Sequence, residues 1–294
     1  MQILITGATG FLGKHLVQTL LALEHKVTAV SREPRRAASV LPEVVKCISW
    51  ESEELREGLA GSDAVINLAG ESIASGRWTA RKKAAIVNSR LIAAQRLYNA
   101  LQGADRVPGV FIQASAIGYY GDAGDKLCDE KCPAGEGFTA DVCVKWESYL
   151  GKMEKLVPRV LAIRIGLVLG KEGGMLPELI KQSKRGFAGK LGSGKQWMSW
   201  IHVYDLIYAI LFLMNTETAK GIYNLVGPQP LRQAAFMKEL ARHTHRPLQL
   251  PAPAFAIKLI MGEMGRELLL GGQKVSSSRL EREGFLFKFE TARQ

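Results

Sequence analysis

The sequence predicts an α/β protein with a doubly wound parallel sheet and a smaller C-terminal lobe. Apolar segments of strand length alternate with helically spaced ones up to residue 165, as in right-handed βαβ units. Glycines cluster at the first strand–helix junction, and the regular alternation ends near Gly166. The composition, 47% apolar and 23% charged among 294 residues, suits a folded core. It excludes a disordered chain, a collagen and a coiled coil.

The spacing of apolar residues predicts each element in chain order. Leu12, Leu16, Leu20 and Leu23, for example, share one face of the first helix. Strands are expected at residues 2–6, 26–30, 44–48, 64–68, 110–114, 160–165, 199–203 and 221–226, and helices at 11–23, 79–101, 138–156 and 205–215. We therefore predict a first domain at residues 1–166, to which some later segments return, and a substrate lobe at 167–294.

Three glycines, Gly7, Gly10 and Gly13, lie directly between the first strand and the first helix. One permits a tight turn, one lets the backbone approach a pyrophosphate, and one lets the helix pack on the sheet. Thr9 lies inside this loop, and the phosphates would meet the positive end of the helix that begins near Phe11. The motif predicts a Rossmann-type dinucleotide-binding domain.

The end of the second strand indicates which dinucleotide binds. Proteins that bind NAD usually carry an acidic residue there, about 20 residues after the glycines. Here the strand ends in Ser31 and Arg32, and two further arginines follow within the next four residues. A hydroxyl and a guanidinium suit the adenosine 2′-phosphate, so NADP is favoured over NAD. Glu33 argues the other way unless it points to solvent.

The positive charge is concentrated in two segments. The chain has 39 Lys and Arg against 28 Asp and Glu, a net charge of +11, and residues 77–104 and 179–204 contain no acid. A solvated face explains any single lysine, whereas an acid-free segment attracts anions. We expect Lys190 and Lys195 to bind an anionic small-molecule substrate. RNA is the weaker alternative because no RNA-recognition motif is present, so no specific nucleic acid is expected.

Several phrases of the sequence together carry a family resemblance. They are Thr6-Gly7-x-x-Gly10-x-x-Gly13, Asn67-Leu68-Ala69-Gly70, Ser115-Ala116-Ile117-Gly118-Tyr119-Tyr120-Gly121 and Gly194-Lys195-Gln196-Trp197-Met198-Ser199-Trp200-Ile201-His202. With them the chain resembles the short-chain dehydrogenase/reductase superfamily of nucleotide-sugar epimerase type. Within it, the chain is similar to the epimerase-like family of atypical members, which has its own small C-terminal domain, here at about 246–294. The resemblance spans essentially the whole chain and implies a nicotinamide cofactor.

The resemblance also implies which residues contact the cofactor. They are the backbone of Gly10, Phe11 and Leu12, then Ser31 and Arg32, then Leu68, Ala69 and Gly70, with Gly166 and Leu167 beside the nicotinamide. Arg77 and Lys82 follow the fourth-strand turn. These two either reach a phosphate or the nicotinamide ribose, or lie at the solvated start of a helix.

The catalytic dyad of the superfamily is missing. Its members normally use a Tyr-x-x-x-Lys pair with a Ser or Thr, in which the Tyr exchanges a proton with the substrate oxygen. Aligning this chain on Glu147 places Thr139 and Cys143 at the Tyr and Lys positions. Aligning it on Lys145 places Asp141 opposite the Tyr. Neither alignment contains a tyrosine.

Other side chains become the catalytic and substrate candidates. Ser115, Tyr119 and Tyr120 follow the fifth strand, and the tyrosines either donate a proton or only pack. His202, at the end of a later strand, either contacts substrate or makes a structural hydrogen bond. No metal site is expected, because the scattered cysteines lack a second ligand pair.

The leading hypothesis is an NADP-dependent oxidoreductase of the epimerase-like type that acts on an anionic small molecule. The alternative is a non-catalytic NADP-binding redox sensor or scaffold, which the missing dyad favours. The sequence contains no N-terminal targeting segment and no apolar stretch of bilayer length. We therefore expect a cytoplasmic protein without a membrane partner, and leave its oligomeric state open.

Overall fold

The computed structural model describes residues 1–246 and 250–294, so the predicted start of the C-terminal domain borders on three residues outside this description. The strands are β1 (Gln2–Thr6), β2 (Lys26–Val30), β3 (Lys46–Ile48), β4 (Ala64–Asn67), β5 (Val110–Ala116), β6 (Leu127–Cys128), β7 (Val160–Ile165), β8 (Leu167–Gly170), β9 (Gly173–Gly174), β10 (Trp197–Met198), β11 (Trp200–His202), β12 (Gly221–Leu225), β13 (Leu231–Arg232) and β14 (Lys274–Val275). The helices are α1 (Phe11–Ala22), α2 (Pro34–Ala38), α3 (Ser52–Ala60), α4 (Ala80–Leu101), α5 (Phe138–Glu147), α6 (Leu150–Met153), α7 (Leu176–Lys184), α8 (Val203–Asn215), α9 (Gln233–His243), α10 (Ala254–Gly265) and α11 (Ser278–Arg282), with a 3-10 turn at Ile117–Tyr120 and a π-helical turn at Arg266–Leu270. Among the described residues, no helix combines the length and hydrophobicity needed to cross a membrane.

The central sheet has seven parallel strands in the order β12-β7-β5-β4-β1-β2-β3. From β1 the chain winds outward to β2 and β3, and then returns to the other side of β1 with β4 and β5. The connections after β1 and β4 therefore leave in opposite directions and open a crevice at the carboxyl ends of these strands. The predicted doubly wound fold is confirmed.

Helices cover both faces of this sheet, which explains why its strands are apolar without alternation. On one face α1 packs through Leu16 and Leu20, both fully buried, in a core shared with α8. On the other face α3 and α4 pack through Leu55, Leu59 and Leu97. Burial on both sides fixes the carboxyl edge on which the crevice lies.

Several elements differ from their predicted extents, and two of the differences have a visible cause. The helix expected at 138–156 is divided, since α5 ends at Glu147 and α6 begins at Leu150. The Ser148 hydroxyl donates to the Lys145 carbonyl at 2.7 Å, a bond that competes with regular helical pairing. The strand predicted at 44–48 is limited to Lys46–Ile48, because the Val45 amide closes a turn on the Pro42 carbonyl.

The C-terminal lobe is built from small sheets and is held to the first domain by its tail. Strands β11, β8 and β9 form one sheet, β10 pairs with β13, and β14 pairs with β6. The buried Asp205 carboxylate accepts the backbone amides of Lys288 and Phe289, each at 2.9 Å. Strand β12 returns to the central sheet, as expected for a later segment, and pairs along β7.

A buried polar network connects three strands with α5. The Arg164 guanidinium donates to both Glu147 oxygens, at 2.9 and 2.8 Å, and is 1% exposed. The Ser115 hydroxyl also donates to this carboxylate, at 2.6 Å. Arg164 further donates to the Tyr120 hydroxyl at 3.0 Å, which itself donates to Asn224 at 2.7 Å. Each charge is therefore paired and hydrogen-bonded, as burial requires.

We predict that Arg164→Met lowers the free energy of unfolding by about 3–5 kcal/mol, because it leaves the Glu147 carboxylate buried without its partner. Urea unfolding followed by circular dichroism measures this change. The matched control is Arg242→Met, which removes an exposed ion pair with Glu239 and should cost less than about 1 kcal/mol. Equal losses in the two variants would contradict the structural role of the buried pair.

Candidate functional site

The glycine loop forms the floor of a cleft of about 480 Å³ at the carboxyl ends of β1, β2 and β4. Gly7 has φ +74°, and a Cβ there would lie 2.8 Å from the Leu68 carbonyl carbon. A Cβ on Gly13 would lie 2.3 Å from the Gly7 carbonyl oxygen. The loop has no room for side chains at these positions, so its backbone stays open to a ligand.

The start of α1 offers this cleft an anion site. Gly10 is its N-cap and gives no side-chain hydrogen bond to the free amides, and the first turn carries no acid. Thr9 and Gly10 line the cleft, while the Phe11 ring packs on Gly173, where a Cβ would lie 2.4 Å away. Backbone amides at the positive end of a helix suit a pyrophosphate, so the residues present fit the expected dinucleotide.

Ser31 and Arg32 lie between this cleft and a smaller one of about 300 Å³. The Ser31 hydroxyl accepts the Glu33 amide at 3.1 Å, and Arg36 donates to the Glu33 carboxylate at 3.4 Å. Glu33, the acidic residue that would favour NAD, is thus paired with Arg36 beside the cleft. The exposed Arg32 side chain has no ion pair among the residues described.

The turn after β4 closes the other wall. Leu68, Ala69 and Gly70 line the cleft, and the Ala69 amide donates to the buried Thr6 hydroxyl at 3.1 Å. Arg77 and Lys82, for which two roles stood open, do not line the clefts described. Lys82 donates to Glu71 at 2.6 Å, a bond that lowers the pKa of that carboxyl. Arg77 lies beside α10, within 3.7 Å of a Cβ built on Gly262.

A second cavity, of about 300 Å³, lies at the carboxyl ends of β5 and β7, beneath the C-terminal lobe. Gly166 and Leu167, which the resemblance places beside the nicotinamide, line this cavity. Most of its wall is apolar. Its lining includes Ile73, Ile117, Val142, Met175, Leu179, Met198, Met237, Leu268 and Leu269. Arg90 and Glu267 are the only charged residues among the described residues that line it.

The α5 residues aligned on Glu147 face this cavity. Thr139 and Cys143 line it, whereas Asp141 and Lys145, from the other alignment, are exposed. The Cys143 thiol contacts the Ala116 carbonyl, with 3.5 Å between sulfur and oxygen. Burial raises its pKa to about 11, so the thiol is neutral at pH 7 and cannot replace a lysine ammonium.

Glu267 of the C-terminal lobe reaches the start of α5. Its carboxylate accepts the Phe138 and Thr139 amides, each at 2.9 Å, and the Thr139 hydroxyl at 3.0 Å. An acid is thus brought from the lobe to Thr139, the residue that the alignment on Glu147 places at the tyrosine position. The sequence analysis did not identify Glu267. The only indication in the sequence is that this acidic residue directly precedes three leucines.

The three catalytic candidates lie behind the cavity and do not line it. Ser115 and Tyr120 are 3% exposed and belong to the Arg164 network. Burial raises the pKa of Tyr120 to about 12. The Tyr119 ring stacks on Arg164, whose guanidinium carbon is 3.4 Å from the ring centroid. The structure brings these residues together, but as a buried support for α5.

The three predicted substrate contacts are also placed elsewhere. Lys190 lies at a shallow cleft of about 320 Å³ with Lys238 and Arg242. Lys195 is exposed, and its carbonyl accepts from Arg232. His202 caps α8 through the Tyr204 amide at 3.2 Å and stacks on Phe289 with 3.9 Å between centroids. Burial lowers the His202 pKa, in keeping with a neutral structural ring.

Comparison with known proteins gives two family matches along the chain. Residues 3–226 match the NAD dependent epimerase/dehydratase family. Residues 252–294 match a domain of unknown function (DUF1731). These matches, with the relatives below, confirm the family resemblance and its C-terminal domain.

Curated relatives and solved structures point to the same family as these two matches. The chain is 38% identical over 294 residues, 99% of its length and 84% of the relative, to the chloroplastic epimerase family protein SDR39U1 homolog of Arabidopsis thaliana. The human epimerase family protein SDR39U1, solved with NADPH, is 30% identical at a TM-score of 0.88, over 100% of this chain and 97% of that one. The UDP-glucuronic acid 4-epimerase of Bacillus cereus, solved with UDP-glucuronic acid and NAD, shares the fold at 17% identity and a TM-score of 0.78, over 99% and 96%.

Proposed function

Because the chain belongs to the NAD-dependent epimerase/dehydratase family, we propose that it is an NADPH-dependent oxidoreductase acting on a small, largely apolar carbonyl compound or the corresponding alcohol. The observation that carries this proposal is the apolar cavity at the carboxyl ends of β5 and β7. It adjoins the glycine-loop cleft and contains one acid able to exchange a proton.

The cofactor residues divide along the crevice. The α1 amides hold the pyrophosphate, and Ser31 and Arg32 hold the adenosine 2′-phosphate. The human relative solved with NADPH supports the same choice. When bound, NADPH supplies the hydride, while the protein supplies position and electrostatics.

The substrate is proposed to be apolar because of what surrounds it. A nucleotide sugar would bring a diphosphate, and buried phosphates need several paired cations. The described lining has Arg90 as its one cation, and Lys190 and Lys195 lie at other surfaces. The anionic substrate expected from the charge distribution is therefore replaced by an uncharged carbonyl compound. Of the basic residues in the two acid-free segments, Arg90 alone lines this cavity in the described structure.

Glu267 and Thr139 are the proposed proton-exchanging pair. Cys143 holds its proton at neutral pH, and the Tyr120 hydroxyl already bonds to Arg164 and Asn224. The Thr139 hydroxyl lines the cavity and donates to Glu267. A substrate alcohol gives its proton to the Thr139 oxygen while Thr139 passes its own proton to the Glu267 carboxylate, and reduction of a carbonyl runs this relay in reverse.

A second candidate function is NADPH binding without catalysis, as a redox sensor or scaffold. The observation that favours it is the pair Thr139 and Cys143 at the positions of the missing dyad. Measured turnover of NADPH with a substrate distinguishes the two functions, because a sensor or scaffold would show none. Three expectations stay predictions: the division into domains, the absence of a nucleic-acid partner and the cytoplasmic location. For the location, the plant relative is named chloroplastic.

The cofactor proposal predicts tighter binding of NADPH than of NADH by isothermal titration. Arg32→Ala should weaken NADPH about 10-fold, because it removes a charge-assisted contact with the 2′-phosphate, and leave NADH unchanged. Arg35→Ala is the matched control, since Arg35 is exposed on α2 and lines neither cleft. Equal affinity of the unmodified protein for both dinucleotides would exclude the assignment.

The substrate proposal predicts NADPH oxidation with apolar aldehydes and ketones and none with UDP-glucose or UDP-glucuronic acid. Absorbance at the reduced nicotinamide band follows turnover across the panel, and sugar products are examined by chromatography. Conversion of a UDP-sugar would contradict the apolar substrate. NADPH binding with no turnover of any compound would favour the sensor.

The proton-exchange proposal predicts that Glu267→Gln lowers kcat about 100-fold or more, because an amide cannot exchange the proton. NADPH affinity should change less than about 2-fold, since the amide oxygen can still accept from α5. Glu263→Gln changes another carboxylate of the lobe, one that is paired with Lys83 of α4, and is the control with unchanged kcat. A Glu267→Gln variant with full activity would refute the role.

A further inference from the structure

Besides Gln233 Nε2, two buried N–H groups in the wall of the apolar cavity have no hydrogen-bond partner, and these two stand side by side. They are Arg90 Nε and Trp146 Nε1, and neither has an acceptor among the residues that the structure describes. Both residues line the cavity. Buried donors are nearly always paired, so two adjacent exceptions indicate acceptor oxygens supplied by a ligand.

Arg90 is held rigidly at the boundary between the two clefts. Its Nη1 donates to the carbonyls of Glu71 and Ile86, at 3.0 and 2.9 Å. Its guanidinium carbon is 4.7 Å from the Trp146 ring centroid and 3.0 Å from a Cβ built on Gly70. Glu71 and Gly70 line the adenosine-side cleft, whereas Arg90 and Trp146 line the apolar cavity. A dinucleotide that extends from the adenosine-side cleft into the apolar cavity must therefore pass the Arg90 guanidinium.

Arg90 forms no ion pair with a carboxylate in the described part of the chain. The Glu71 carboxylate interacts with its charge from a distance but is itself paired with Lys82. Burial lowers the pKa of Arg90, which reflects the desolvation of its charge. A buried cation of this kind is stabilised when a ligand brings anionic or strongly accepting oxygens.

The same position lacks the cation that related enzymes use. In the alignment on Glu147, Cys143 stands at the lysine position of the dyad, and it lines the same cavity as Arg90. Arg90 comes from α4 and Cys143 from α5, so the cation reaches the same place from a neighbouring helix.

We propose that Arg90, stacked on Trp146, replaces the missing lysine by binding the ribose and phosphate oxygens of the nicotinamide half of NADPH. This inference rests on the proposed cofactor. Arg90 is a binding residue in this scheme. Its fork of N–H donors suits adjacent oxygens in a way that a single ammonium does not.

Isothermal titration with two ligands tests the assignment. NADPH carries the nicotinamide half, whereas adenosine 2′,5′-bisphosphate carries the adenosine with its 2′- and 5′-phosphates and lacks that half. Arg90→Met should weaken NADPH at least about 10-fold and leave the bisphosphate within about 2-fold. Arg81→Met, an equal loss of charge at an exposed position of α4, should change neither. Circular dichroism checks that each variant is folded.

Arg90→Lys keeps the assignment testable if the methionine variant does not fold. It preserves the charge but not the fork, so NADPH should weaken about 3-fold or more while the bisphosphate is unchanged. Unchanged NADPH affinity in the folded arginine variants would overturn the inference and assign the donors to a substrate instead. Equal weakening of both ligands would overturn it too. Failure of the unmodified protein to bind NADPH would refute the proposed function itself.

Discussion

The buried ion pair between Arg164 and Glu147 is the interaction on which the site depends. It joins β7 to the last residue of α5, and through Ser115 and Tyr120 it reaches β5 and the 3-10 turn after it. A charged pair at this depth is stable only with all its partners in place. It therefore fixes the rotation of α5 about its axis, and that rotation decides which α5 side chains face the cavity.

That rotation also explains why the residues at the dyad positions face the cavity and why the catalytic candidates do not. With Glu147 held inward, the residues one and two turns earlier, Cys143 and Thr139, face the same side. The hydroxyls of Ser115 and Tyr120 are taken up by the pair and are not available to a ligand. Residues that looked catalytic by position in the sequence thus support the helix that carries the cavity wall.

Much of the fold and of the cofactor cleft could be predicted from the sequence because their signals are local. The glycine loop, the apolar strands and the Ser31–Arg32 pair all lie within a few residues of the structure that they determine. The rest depends on contacts distant in sequence. Glu267 meets Thr139 across 128 positions, which no spacing rule anticipates. Lys190 and Lys195 carry the charge that an anionic ligand would need. They nevertheless lie outside the cavity, because tertiary packing sets the direction in which their loop leaves the sheet.

The crevice changes character along its length, and this change has a physical consequence. At the adenosine end, exposed backbone amides and arginine face water, where phosphate charge is readily matched. At the other end, apolar walls lower the local dielectric, so a single cation and a single acid act strongly on whatever lies between them. The acid, Glu267, is the cap of α5 and belongs to the lobe. Docking of the lobe on the first domain therefore assembles the cavity in which Glu267 is proposed to exchange a proton, whereas the first domain alone forms the glycine-loop cleft. The small C-terminal domain is in this sense a component of the cavity's chemistry as well as its cover.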